Sequence, residues 1–177
     1  MYLPSEDSYL LSNILKKEIP KLLEKNPNIK FLEIGAGSGI HLNTAENSGI
    51  KKENIFSCDI DEKSVEHCTL LGYNCVKSDL FANIKGRYDL IIFNPPYLPN
   101  NKYDKNPDTS GGKKGDETIL RFLREAKNYL EKNGKIFLVT SSLTPKINFE
   151  KLGYRAEEIG CESLFYERLC VWELEIN

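Results

Sequence analysis

The chain has 177 residues, 40% of them hydrophobic, and 24 lysines and arginines against 26 aspartates and glutamates leave a net charge of −2. That length and apolar content fit one domain spanning residues 1–177 around one packed core, and the charge balance gives no electrostatic reason for tight binding to naked nucleic acid. No apolar run reaches 18 residues and the start lacks a basic segment ahead of an apolar one, so neither a membrane span nor a secretory leader is expected. The five cysteines (Cys58, Cys68, Cys75, Cys161 and Cys170) contain no C-x-x-C pair and sit mostly inside apolar segments. They read as reduced core thiols of a cytoplasmic protein, with no zinc site.

In chain order, Ser5 followed by Glu6 and Asp7 signals a helix start, and Leu10, Leu11, Ile14, Leu15, Ile19, Leu22 and Leu23 recur at helical spacing. Pro20 is expected to kink or divide this helix. A strand at 31–34 runs through the glycine turn 35–39 into a helix reaching about residue 48. A second strand at 54–58, a helix at 62–71, a short third strand at 74–76 and a fourth at 88–93 follow. A polar loop spans 98–115, too long for a simple connector and therefore a candidate functional loop. A helix at 116–130, a strand at 135–140 and strand-like segments near 155–159 and 169–176 complete the chain. Strands alternating with helices predict an α/β fold, a mostly parallel sheet covered on both faces with the last two strands as an antiparallel edge.

The most informative stretch is Asn94-Pro95-Pro96-Tyr97, which stops the apolar run of the fourth strand. Each proline fixes φ and lacks an N–H, so the turn offers carbonyl acceptors with few competing donors. The Asn94 side-chain carbonyl and the acceptor of Pro95 could together take both hydrogens of a planar –NH2 group, with Tyr97 as a flat apolar face. An ordinary strand-ending proline turn is the alternative.

Gly35, Gly37 and Gly39 follow the first strand, with Ile40 where a dinucleotide fingerprint would place its third glycine. The compact Glu33-x-Gly35-x-Gly37-x-Gly39 spacing fits a different ligand, although such a turn also exists without one. Asp59 ends the second strand, where a carboxylate can accept both hydroxyls of a ribose, and Asp79 follows the third. Asp59-Ile60-Asp61 could equally start the next helix, and Asp79 could close a turn. His41 and His67 are the only histidines and receive no role.

With these motifs, and with Tyr2-Leu3-Pro4-Ser5-Glu6-Asp7-Ser8 at one end and Glu167-Arg168-Leu169 near the other, the chain resembles the S-adenosylmethionine-dependent methyltransferases that act on amino groups through Asn-Pro-Pro-Tyr. It is most similar to the HemK/PrmC-type glutamine methyltransferases of class 1 translation termination factors, in their short archaeal and eukaryotic branch. The resemblance implies a Rossmann-like class I methyltransferase with a seven-stranded sheet. It implies S-adenosylmethionine held by Glu6, Ser8, Glu33, Gly35, Gly37, Asp59, Ile60, Asp79, Leu80 and Asn94, with Asp79 accepting from the adenine amine and Leu80 packing on its ring. Asn94, Pro95 and Tyr97 would be catalytic, with Asn94, Pro96 and Tyr97 against the acceptor and no metal. The expected acceptor is the glutamine of a termination factor's Gly-Gly-Gln motif. Related enzymes use the same motif on nucleobase amines, which would call for a basic groove at Lys102, Lys105, Lys113 and Lys114, and lysine acceptors or a non-catalytic scaffold also stay open. Residues 109–117 resemble that branch's glycine-rich acidic segment but lack a tryptophan often seen before the glycines. Bacterial relatives carry a substrate-gripping helical domain that is not expected here, whereas the branch pairs with a small zinc-binding activator. The third strand, uncharged from Tyr73 to Val76, is an edge in this topology, so a heterodimer formed there is expected.

Overall fold

The computed structural model describes residues 3–97 and 114–177. Most of the loop at 98–115, including Lys102, Lys105 and Lys113, therefore lies outside the described residues. In order along the chain come α1 (Glu6–Lys25), β1 (Phe31–Ile34), α2 (Ile40–Asn47), β2 (Ile55–Asp59), α3 (Glu62–Leu70), β3 (Asn74–Lys77), β4 (Tyr88–Phe93), α4 (Glu117–Ala126), β5 (Leu130–Ser141), β6 (Tyr154–Ser163) and β7 (Arg168–Ile176). The strands form one seven-stranded sheet in the order β3-β2-β1-β4-β5-β7-β6. Pairing is parallel from β3 to β5 and antiparallel where β7 joins β5 and β6. No described helix is long and apolar enough to cross a membrane.

Strand alternation sorts the side chains into two cores. Phe31, Leu90, Ile92, Phe137 and Val139 pack with α1, α2 and Cys68 of α3 on one face. Leu32, Ile34, Ile91, Phe93, Ile136 and Leu138 pack with Ile119, Phe122, Leu123 and Ala126 of α4 on the other. The chain turns back on itself between β1 and β4, the switch point beyond whose carboxyl ends a doubly wound sheet leaves a crevice.

Several local expectations are corrected. Pro20 does not divide α1, because it lies on the exposed side and the Lys16 carbonyl it leaves without a donor is on the exposed side as well. α4 stops at Ala126, where Tyr129 N–H turns back to the Ala126 carbonyl at 3.0 Å. β5 begins early, since Leu130 pairs with Tyr88 before a register shift that takes up Asn133 and Gly134. β3 extends to Lys77, so this edge carries one charge, paired to Glu62 at 3.0 Å. The five cysteines are not all thiols: Cys161 and Cys170 are register partners across β6 and β7, with Cα atoms 4.1 Å apart, and are bonded to each other. Their spacing of nine residues says nothing of this until the hairpin tip is placed between them. Cys58, Cys68 and Cys75 remain free.

Candidate active site

At the carboxyl ends of β1, β2, β3 and β4 lies a cavity of about 510 Å³, within the range of small-molecule sites. Glu33, Gly35, Gly37, Asp59 and Ile60 line it from β1, β2 and the turns after them, and Asp79 and Leu80 from the turn after β3. Asn94, Pro95, Pro96 and Tyr97 close it from β4, and Glu6 and Ser8 from the first turn of α1. The sequence-predicted site residues are thus brought to one place. Ile60 stands at the rim, 67% exposed.

The glycine turn owes its shape to left-handed backbone. Gly35, Gly37 and Gly39 have φ of 73°, 50° and 75°, which only glycine adopts readily. The turn is tied to β2 by the N–H groups of Gly35 and Ala36, which donate to the Cys58 carbonyl at 2.8 and 3.0 Å. Gly37 N–H donates to Asp59 Oδ2 and Asp61 N–H to Asp59 Oδ1, both at 2.8 Å. The Asp59 carboxylate is therefore fixed in orientation at the cavity wall.

Beyond β3, Leu80 is the one described non-glycine residue with positive φ, 47°. The Ser78 hydroxyl holds this conformation, donating to the Leu80 carbonyl at 2.8 Å and accepting from Asn83 N–H at 2.9 Å. Backbone strain of this kind costs on the order of 1–3 kcal/mol and persists where its surroundings enforce it. Asp79 has one oxygen held by Arg121 Nη2 at 2.5 Å, from α4. Arg121 also lines the cavity and carries no periodic or motif signal.

The least expected feature lies behind the glycine turn. Glu33 is 1% exposed, and its Oε1 accepts from Nδ1 of His41 at 2.6 Å. His41, itself 3% exposed, reaches the Ser8 carbonyl through Nε2 at 3.1 Å. The Ser8 carbonyl can only accept, so Nε2 carries a proton, and when Glu33 is ionised Nδ1 donates as well, which is the protonated form of the imidazole. Burial opposes that charge, but the Glu33 carboxylate, the bonds to Glu33 and Ser8, and the nearby Asp7 hold the His41 pKa above its usual value. Burial pushes the Glu33 carboxyl up against the pull of His41. A buried acid on a strand must find a partner, and that requirement is the signal by which His41 could have been found.

Tyr97 OH donates to Asp7 Oδ2 at 3.1 Å, joining the Asn-Pro-Pro-Tyr turn to α1. Two buried polar side-chain atoms have no hydrogen-bond partner among the described residues, Glu33 Oε2 and Asn94 Oδ1. Unpaired buried acceptors are costly and rare in folded proteins. One is a carboxylate oxygen suited to a cationic amine, the other an amide carbonyl suited to an N–H donor. With the hydroxyl acceptor Asp59 between the glycine turn and the cavity, this donor and acceptor set fits an amino-acid-bearing nucleoside such as S-adenosylmethionine.

Residues 10–152 match the methyltransferase small domain family. A Methanocaldococcus jannaschii protein provisionally named protein N5-glutamine methyltransferase is 37% identical over 192 aligned positions, covering 98% of this chain and 92% of that one. The eRF1 methyltransferase catalytic subunit mtq2 of Schizosaccharomyces pombe is 26% identical, covering 78% of this chain and 71% of its own. In structure, the chain superposes on E. cuniculi Mtq2, solved with Trm112 as a complex that methylates the eRF1 termination factor, with a TM-score of 0.74 at 23% identity, covering 99% and 98% of the two chains. The chain belongs to the methyltransferase small domain family, on its HemK-type branch of S-adenosylmethionine-dependent protein-glutamine methyltransferases.

Proposed function

We propose that this enzyme methylates the side-chain amide of the Gly-Gly-Gln glutamine of a class 1 translation termination factor. The observation that carries the reading is the buried, unpartnered Asn94 Oδ1 beside the donor-free Pro95 turn. A carboxamide nitrogen is a poor nucleophile because its lone pair is delocalised into the carbonyl. Hydrogen bonds from its two N–H groups to Asn94 Oδ1 and the Pro95 carbonyl favour pyramidalisation and point the lone pair into the cavity, with Pro96 and Tyr97 against its apolar side. Such placement lowers a barrier by several kcal/mol without a strong base. The excess proton of the methylated nitrogen passes to water.

S-adenosylmethionine supplies the activated methyl. Glu33 Oε2 receives the cationic amine, Gly35 and Gly37 let the backbone approach, Asp59 accepts the ribose hydroxyls with Ile60 beside them, and Asp79 and Leu80 take the adenine. Glu6 and Ser8 close the methionine end. The activator expected from the sequence is a small zinc-binding chain that adds a strand along β3, where Val76, 38% exposed, stands beside the edge's single charge, Lys77. The cytoplasm, where termination factors work, is its proposed location.

Labelled methyl transfer from S-adenosylmethionine to a purified termination factor tests the reading, with the activator present. Label should enter the wild-type factor and not a variant lacking the Gly-Gly-Gln glutamine. Equal labelling of both, or label in a nucleic acid instead, overturns it.

A further inference from the structure

The β6–β7 hairpin ends in a feature that folding does not require. Leu164 N–H donates to the Glu167 carbonyl at 2.8 Å, leaving Phe165 and Tyr166 as a two-residue tip. Neither residue has positive φ, so the tip makes no demand for Asn or Gly and its backbone leaves the side chains open. Phe165 is 104% exposed and Tyr166 72%. Two adjacent large rings left in water, with no packing role in the fold, form the kind of exposed apolar patch that marks an interaction site.

The rings sit on a firm stem. Ser141 Oγ donates to Glu167 Oε2 at 2.5 Å, and the Arg168 backbone N–H to Ser142 Oγ at 2.9 Å. The Arg168 guanidinium holds both oxygens of Glu158, at 2.8 and 3.3 Å, and Leu164 packs on the α1-side core. Leu164, Tyr166 and Glu167 line the same cavity as Asn94 to Tyr97.

We propose that the Phe165–Tyr166 tip is a docking rim that grips the polypeptide segment carrying the methylated amide. This rests on the reading of the site as a protein-amide methyltransferase. A glutamine nitrogen is tied to its backbone by a short side chain, so the acceptor backbone must cross the cavity mouth within that reach of Asn94, beside the wall that Tyr166 and Glu167 form. Rigid, exposed aromatic side chains at such a crossing are the residue type that anchors interfaces. Exposed Glu157 and Glu162 on β6 make no ion pair among the described residues, so the segment that fits carries basic residues beside an apolar one. An activator seated along β3, as proposed above, leaves the tip open, because β3 and β6 are opposite edges of the sheet, six strand spacings or roughly 29 Å apart.

Phe165→Ala and Phe165→Asp in the full chain, with the activator co-expressed, provide the test. Phe165 makes no packing contact that folding could lose. Steady-state methyl transfer should show KM for the termination factor raised about ten-fold, with kcat within about two-fold, and unchanged S-adenosylmethionine affinity by calorimetry. Unchanged KM in both variants of an active enzyme overturns the docking rim and leaves the function reading intact. A wild-type enzyme that labels no termination factor overturns that reading and the rim with it.

Discussion

Removing the imidazole of His41 is the sharpest test of how the cavity is held together. His41→Ala strands a Glu33 carboxylate that is 1% exposed with neither oxygen hydrogen-bonded, since Oε2 has no partner already. Breaking a buried pair from one side costs about 3–5 kcal/mol. Glu33 limits the loss by taking up a proton, so about 3 kcal/mol is expected, and for a chain of this size that lowers Tm by roughly 6–12 °C. A protonated Glu33 no longer attracts a cationic amine, so S-adenosylmethionine affinity should fall about ten-fold by calorimetry.

The same pair sets a pH dependence. Folding raises the His41 pKa above its usual value near 6.5, so the stability it contributes is complete below that value and is lost as pH rises through the folded value. The Glu33 pKa is raised too, which gives a slope of the same sign. The charged groups facing the pair are Asp7 from α1 and Asp59 from β2. Thermal unfolding followed from pH 6 to 9 should show wild-type stability declining above about pH 6.5, while His41→Gln, which keeps a donor to Glu33 but cannot titrate, shows a flatter profile. An equal slope in the variant, or a His41→Ala cost below about 1 kcal/mol, refutes the charged pair.

Asn94→Ala should leave cofactor affinity intact and lower turnover by orders of magnitude, as for loss of a preorganised stabilising group; near-normal turnover in single-turnover assays would sink the amide-positioning role. Asp59→Ala removes the proposed ribose contact and also releases two backbone N–H groups, that of Gly37 in the glycine turn and that of Asp61 before α3, so calorimetry should show weakened binding alongside about 1–3 kcal/mol of lost stability. Unchanged affinity would count against the ribose assignment. Val76→Lys puts a second charge on the β3 edge and should weaken co-elution with the activator while leaving Tm nearly unchanged; undiminished co-elution would move the partner elsewhere.

Much of the fold was legible because its signals are local. Strands that end in glycine or acid, the first two each followed by a helical pattern, predict a doubly wound sheet, and that topology alone gathers Glu33, Asp59, Asp79 and Asn94 at one end of four neighbouring strands. What escaped depends on distant pairing. Ser8 and His41 are 33 residues apart and Asp79 and Arg121 are 42 apart, so neither contact has a sequence period to betray it. Likewise, Cys161 and Cys170 meet only because Leu164 and Glu167 close the hairpin between them. The early start of β5 is hidden by Asn133-Gly134, a pair that ordinarily ends a strand but is here absorbed as a register shift.

The first turn of α1 looked like a helix start with favourable acids, and its position gives it a larger task. Asp7 takes the Tyr97 hydroxyl on one side, and Ser8 offers its carbonyl to His41, which in turn holds Glu33. One helical turn therefore braces both the acceptor-side Asn-Pro-Pro-Tyr turn and the acid behind the glycine turn. The two unpartnered acceptors, Glu33 Oε2 and Asn94 Oδ1, belong to these two braced segments. Their separation is fixed by packed side chains rather than by a loop, which is what positioning an inert amide against a bound methyl donor demands. A substitution in this turn should therefore disturb cofactor binding and turnover together, unlike Asn94→Ala, which should separate them.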